Sequence, residues 1–134
     1  MWWPAVAMAT LTFGVWMRMY RVRISEMKRE RIHPQSVALS AQIAERLKDT
    51  RASDNFRNLF ELQVLFSLAL GVAAQTGQVM TLTLALAWTF VALRIAHSAI
   101  QCTYNKVIHR FYVYFSGGVA LWVLWAVLAF GMLR

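Results

Sequence analysis

The chain has 134 residues with a single cysteine; 59% of its residues are hydrophobic and 15% charged, and 14 Lys and Arg against 6 Asp and Glu give a formal net charge of +8. Soluble domains are about 45–50% apolar and about 25% charged, so this composition excludes a water-soluble globular domain and a disordered tail, and one cysteine excludes an internally bridged disulfide scaffold. Ten of the 14 basic residues lie between Arg18 and Arg57 while long stretches elsewhere carry no charge, which is the pattern of a polytopic membrane protein with its positive charge on one side.

A membrane-crossing helix needs about 20 mostly apolar residues. The first such stretch is Trp2–Tyr20, uncharged until Arg18, with Pro4 near its start, where a helix tolerates proline. No basic segment precedes it and no small-x-small site follows it, so it reads as a retained helix rather than a cleaved leader. Residues 21–56 form a long basic connection. Pro34 breaks the charged extension of the first helix. Leu39, Ile43 and Leu47, four apart among Glu45, Arg46, Lys48 and Asp49, then predict a short interfacial helix. The second stretch, Leu59–Val79, has Glu61 as its only ionisable group. The third, Met80–Cys102, carries only Arg94 and His97, and the fourth, Phe111–Leu133, carries no charge.

Backbone groups in lipid must be satisfied within their own segment, so these stretches are helices. The expected fold is an all-α integral membrane protein, a single four-transmembrane-helix bundle over residues 1–134. Lys and Arg crowd into the first connection, and Lys106 and Arg110 into the turn before the fourth stretch. The opposite side offers the uncharged Gln75–Gln78 segment and Arg134. Both basic loops are therefore expected to be cytoplasmic and both termini non-cytoplasmic. Trp2, Trp3 and Trp16 sit near stretch ends as interfacial aromatics do, whereas Trp122 and Trp125 lie in mid-stretch and read as packing residues.

Ionisable groups inside a span cost about 2.5–3.5 kcal/mol on insertion scales and mark function by default. Arg94 stands 11 residues before Asn105, about 16 Å along a helix. Arg94, His97, Gln101 and Tyr104 fall on one helical stripe. Arg57, Asn58 and Glu61 are expected to share a face of the second helix, and Arg110 and Tyr114 are four apart at the same level. Polar groups from three helices thus converge, with cations outnumbering the one carboxylate, as a site for an anionic ligand requires. The plain alternative is a buried structural ion pair between Arg94 and Glu61. No second His or Cys stands at a metal-ligand spacing, so no metal is expected. Cys102 reads as an inert buried thiol, and no nucleic-acid-binding motif occurs. A small four-helix drug transporter would need a carboxylate in its first helix, and Trp2–Met17 has none.

These residues resemble the MAPEG family, the membrane-associated proteins in eicosanoid and glutathione metabolism, over nearly the whole chain. The family's second helix shows Arg-Asn-x-x-Glu with an aromatic five residues on, here Arg57, Asn58, Glu61 and Phe66. Its third shows Arg-x-x-His, here Arg94 and His97. Thirteen residues later comes Arg with Tyr at i+4, here Arg110 and Tyr114.

The resemblance implies a homotrimer with glutathione, as co-substrate, bound between neighbouring subunits on the cytoplasmic side. Arg57, Asn58, Glu61, Arg94 and His97 would hold the tripeptide, Tyr114 would line the site, and Arg110 would be the catalytic residue that stabilises the thiolate. A basic residue at the end of the first helix, Arg21 or Arg23, would complete it. The implied activity is a glutathione S-transferase of microsomal type, or a peroxidase, acting on lipophilic small molecules that arrive from the bilayer. Gln101 stands where eicosanoid enzymes often have Tyr, and Asp54-Asn55-Phe56 replaces their Arg-Ala-His. The generic bacterial-type branch, and so a bacterial inner membrane, is the better match. Some members bind lipid or partner proteins without catalysis, which leaves a non-catalytic lipid-binding or scaffolding protein as the alternative.

Overall fold

The computed structural model describes residues 1–133 and is helical throughout. Its elements are α1 (Trp2–Arg29), a 3-10 turn (Pro34–Val37), α2 (Ser40–Arg46), α3 (Arg51–Gln75), α4 (Thr81–Cys102) and α5 (Val107–Met132). Arg134, counted above on the less basic side, lies outside the described residues. Among the described residues α3, α4 and α5 are long and apolar enough to cross a membrane. α1 is the fourth long helix, but Trp, Tyr, Thr and Gly dilute the apolarity of its sequence.

The helices run past the apolar stretches that announce them. α1 does not stop at Tyr20, because nothing between it and Arg29 breaks a helix; Arg21 and Arg23 therefore stand on helix rather than loop. Arg31 turns the chain with a left-handed φ of 53°. Likewise α3 begins at Arg51, since Asp54, Asn55 and Arg57 are polar without being helix breakers. It ends at Gln75 because Gly77, at φ 68°, lets the Gln78 N–H reach back 2.9 Å to the Ala73 carbonyl. The expected short helix is present as α2, started by Gln42, whose carboxamide oxygen accepts from the Leu39 N–H at 3.1 Å. Leu47, just beyond it, is buried, while Leu39 stays exposed.

α4 and α5 form the most extensive helix pair, α1 packs along α3, and α3 also touches α4 and α5. The core contains Met8 and Val15 of α1, Leu59, Phe66 and Ala69 of α3, Phe90 and Val91 of α4, and Leu121, Leu124 and Leu128 of α5. Phe66 and Phe90 stack at 4.4 Å between centroids, and neither is exposed. Trp125 packs against this core, but Trp122 is 60% exposed on the single chain. The expectation that both are packing residues is thus corrected for Trp122: hydropathy does not distinguish a lipid-facing or subunit-facing side from a core-facing one.

One end of the bundle is closed by charge. The last carbonyls of α4 would be left without partners; Arg18 of α1 donates to the Cys102 oxygen at 2.8 Å, and Arg51 of α3 donates to the Thr103 oxygen at 2.9 Å. Asp49 grips the same Arg51 side chain at 2.9 and 2.8 Å. Glu26, buried in the last turns of α1, accepts the N–H groups of Lys48 at 2.6 Å and Asp49 at 3.3 Å. A carboxylate near a helix C-terminus opposes the helix dipole, so these two amides are what keep it there. Removing the carboxylate leaves these two backbone N–H groups without their acceptor. Glu26→Ala should therefore destabilise the fold by about 1–3 kcal/mol, read as a lower melting temperature in detergent and faster proteolysis between α2 and α3.

The Arg51 guanidinium bonded to Asp49 holds its carboxyl below the usual carboxylate range, against a smaller opposing effect of burial. The stabilisation from a depressed carboxyl is fully present above the unfolded-state pKa of about 3.9 and is lost as pH falls through the lower folded value. The melting-temperature gap between wild type and Asp49→Asn should accordingly be constant from neutral pH down to about 5 and close below about 4. A gap that persisted in acid would contradict this account.

Candidate functional site

The connection between α4 and α5 is short, so the two helices run antiparallel as neighbours and set Arg94 and His97 opposite Tyr114. The Arg94 guanidinium carbon lies 4.4 Å from the centroid of the Tyr114 ring and 5.2 Å from that of Phe90. The His97 ring meets the Tyr114 ring edge-on at 5.5 Å. From α3, Glu61 accepts the Tyr114 hydroxyl at 2.5 Å, and the Asn58 amide donates to Gln101 at 3.2 Å. Arg110, in the first turn of α5, donates to the Asn105 carboxamide oxygen at 2.8 Å. Three helices do bring their polar residues to one level.

Arg94 is 1% exposed and His97 2%. Neither terminal nitrogen of Arg94, nor Nδ1 of His97, has a hydrogen-bond partner among the described residues. Glu61 is engaged by Tyr114 and makes no salt bridge with Arg94. The ion-pair alternative is therefore not what the structure displays: two aromatic faces flank the cation instead, a partial compensation only. A buried guanidinium with free donors is costly, and it can be satisfied by an anion.

Asn58, Glu61, His97, Arg110 and Tyr114, with Val107 and Phe111, line one open cleft of about 230 Å³. Arg57 is not among them. It lines a second cleft of about 760 Å³ with Met19, Arg23, Phe56 and Phe60, beneath α2. Of the two first-helix candidates it is Arg23 that shares this cleft with Arg57, and its buried Nε also lacks a partner among the described residues. Arg21 lies in a different groove with Ser25, Glu26 and Arg29. A single chain thus spreads the expected binding residues over separate surfaces, with Arg21 in a third groove and Arg94 buried beside the first cleft.

Two residues behave differently from their sequence pattern. Tyr104 does not extend the α4 stripe: the helix ends at Cys102, and Tyr104 is exposed with its hydroxyl 3.1 Å from His109 Nδ1. Cys102 is only half-buried; its sulfur accepts a bond from Asn55 at 3.4 Å. Sequence reasoning passed over Asn105, which no helical spacing marks. Its signal is an Asn just beyond the end of α4, where a left-handed residue is favoured.

Among known proteins, no curated protein and no solved structure matches the chain. The model of the MAPEG family matches residues 1–130. That match spans α1, α3, α4, all but the last two residues of α5 and every residue of both clefts, and together with α3, α4 and α5 it supports an integral membrane protein. The chain belongs to the MAPEG family.

Proposed function

We propose that this protein is a membrane-bound glutathione-dependent transferase or peroxidase acting on lipophilic electrophiles, with its binding sites between the subunits of a homotrimer. The observation that carries the reading is Arg94: a buried cation with both terminal nitrogens free, beside a cleft that holds a second cation, Arg110. Glutathione has two carboxylates, one ammonium and a thiol. The free guanidinium donors of Arg94 suit a carboxylate, His97 can add a donor in its Nδ1–H tautomer, and Glu61 suits the ammonium.

The sharing of the site between subunits has its own support. A cleft of about 230 Å³ falls below the roughly 300–1,000 Å³ of ordinary ligand sites. The remaining expected residues, Arg23 and Arg57, face a separate surface of the same chain. Two copies in contact can bring one chain's Arg23 and Arg57 to the other's Arg110. On this reading α1 is the fourth membrane crossing, both basic loops are cytoplasmic, and the membrane is a bacterial inner membrane.

Glutathione supplies the nucleophilic sulfur. Arg110, always charged, favours the thiolate over the thiol without having to lose a proton itself. In the transfer reaction the sulfur forms a bond to an electrophilic carbon, and the leaving group departs with the bonding pair. Phe111 and Val107 give the cleft an apolar wall at its edge, where a lipophilic acceptor can enter from the bilayer.

Purified trimer in detergent should conjugate glutathione to chlorodinitrobenzene, and Arg110→Ala should lose most of that rate with an unchanged melting temperature. No glutathione binding by calorimetry would sink the proposal and favour a lipid-binding or scaffolding member. Arg94 gives an independent test. Replacing a buried, unpaired charge by an apolar group of similar length removes a desolvation cost. Arg94→Met should therefore raise the melting temperature while abolishing glutathione binding. A purely structural Arg94 would give the opposite sign in the melting experiment.

A further inference from the structure

We propose that Asn105 is a positioning residue for Arg110, fixing the guanidinium in the cleft while leaving its charge uncompensated; this rests on the reading of Arg110 as the group that faces the sulfur. Asn105 occupies the turn between α4 and α5 with a left-handed φ of 50°. Asparagine is one of the few residues with a side chain that adopts this conformation readily, and that alone could account for its presence. The hydrogen bonds of the turn indicate a second role. The Asn105 N–H already closes the helix end by donating to the Ile100 oxygen at 2.9 Å. Its carboxamide is not needed there, and Oδ1 instead accepts from Arg110 Nη1 at 2.8 Å.

Arg110 needs such an anchor. It stands in the first turn of α5, where the helix dipole disfavours a cation, and its side chain has several rotatable bonds. The two ends of the turn are further tied by Tyr104, whose hydroxyl lies 3.1 Å from His109 Nδ1 with the rings edge-on at 5.8 Å. A carboxamide oxygen is neutral. It orients the guanidinium but leaves the full positive charge to act on a neighbouring sulfur. A carboxylate in its place would hold Arg110 at least as firmly and cancel that field.

Three proteins separate these roles: wild type, Asn105→Gly, which keeps the left-handed turn and loses the carboxamide, and Asn105→Asp, which keeps an acceptor but adds charge. The first readout is the rate at which phenylglyoxal modifies Arg110 in the detergent-solubilised protein without glutathione, followed by mass spectrometry. Asn105→Gly should be modified several-fold faster, and Asn105→Asp no faster than wild type. The second is the pH profile of glutathione conjugation to chlorodinitrobenzene. Loss of one hydrogen bond to a charged group should lower kcat/KM for Asn105→Gly roughly tenfold or more. Both variants should move the profile to higher pH, because each weakens the stabilisation of the thiolate.

An Arg110 modification rate unchanged in Asn105→Gly overturns the proposal, whatever the enzyme does. Wild type that fails to bind glutathione overturns the transferase reading instead, and the modification rates still decide whether Asn105 positions Arg110. A pH profile unmoved in Asn105→Asp would show that the charge of Arg110 is not what the turn protects, and would overturn that half of the inference.

Discussion

Arg94 is a cation deep in an apolar bundle, and no carboxylate among the described residues lies within salt-bridge distance of it. Phe66 stacks on Phe90, Phe90 lies on one side of the guanidinium, and Tyr114 lies on the other. The stack joins α3, α4 and α5 and runs from the centre of the core to the wall of the cleft. Glu61 accepts the Tyr114 hydroxyl while the Tyr114 ring lies over Arg94, so one aromatic ring links the carboxylate of α3 to the arginine. The free donors and desolvation that the fold tolerates at Arg94 are, in the proposed function, what receives an anion.

The level at which these groups meet is set at the basic end of the bundle. In lipid a helix cannot leave its last carbonyls to water at will. Arg18 and Arg51 satisfy those of α4 from α1 and α3, and Asn55 bridges Ser98 and Cys102. The axial positions of three helices are thereby locked, and residues one or two turns further along, Asn58 and Glu61 on α3 and His97 on α4, come to the same depth.

Much of this was readable from the chain. Arg94, His97, Glu61, Arg110 and Tyr114 stand out because charge inside an apolar stretch is expensive, and helical spacing then places them at one level. The helix ends were less legible, since Arg51–Asn58 and Arg21–Arg29 are helical but polar, and hydropathy marks lipid rather than helix. Arg57 shows the limit of spacing: it precedes Asn58 by one residue, yet about 100° of helical rotation sends it to another cleft. Trp122 shows another, because an outward face in a membrane protein is as apolar as its core. Asn105 escaped because its role comes from a turn and a side-chain acceptor, and neither leaves a periodic trace.

α1 is a single uninterrupted helix of 28 residues, about 42 Å long, against roughly 30 Å for the hydrocarbon layer of a bilayer. It carries Arg18, which caps α4, Arg23, which lines the cleft with Arg57, and Glu26, which holds the connector. On the proposed reading of α1 as the fourth membrane crossing, a rod longer than the hydrocarbon layer tilts when the bilayer thins or thickens. With no hinge between Trp2 and Arg29, that tilt passes undiminished to all three side chains. On that reading, bilayer thickness becomes a mechanical input to the cleft that holds Arg23 and Arg57.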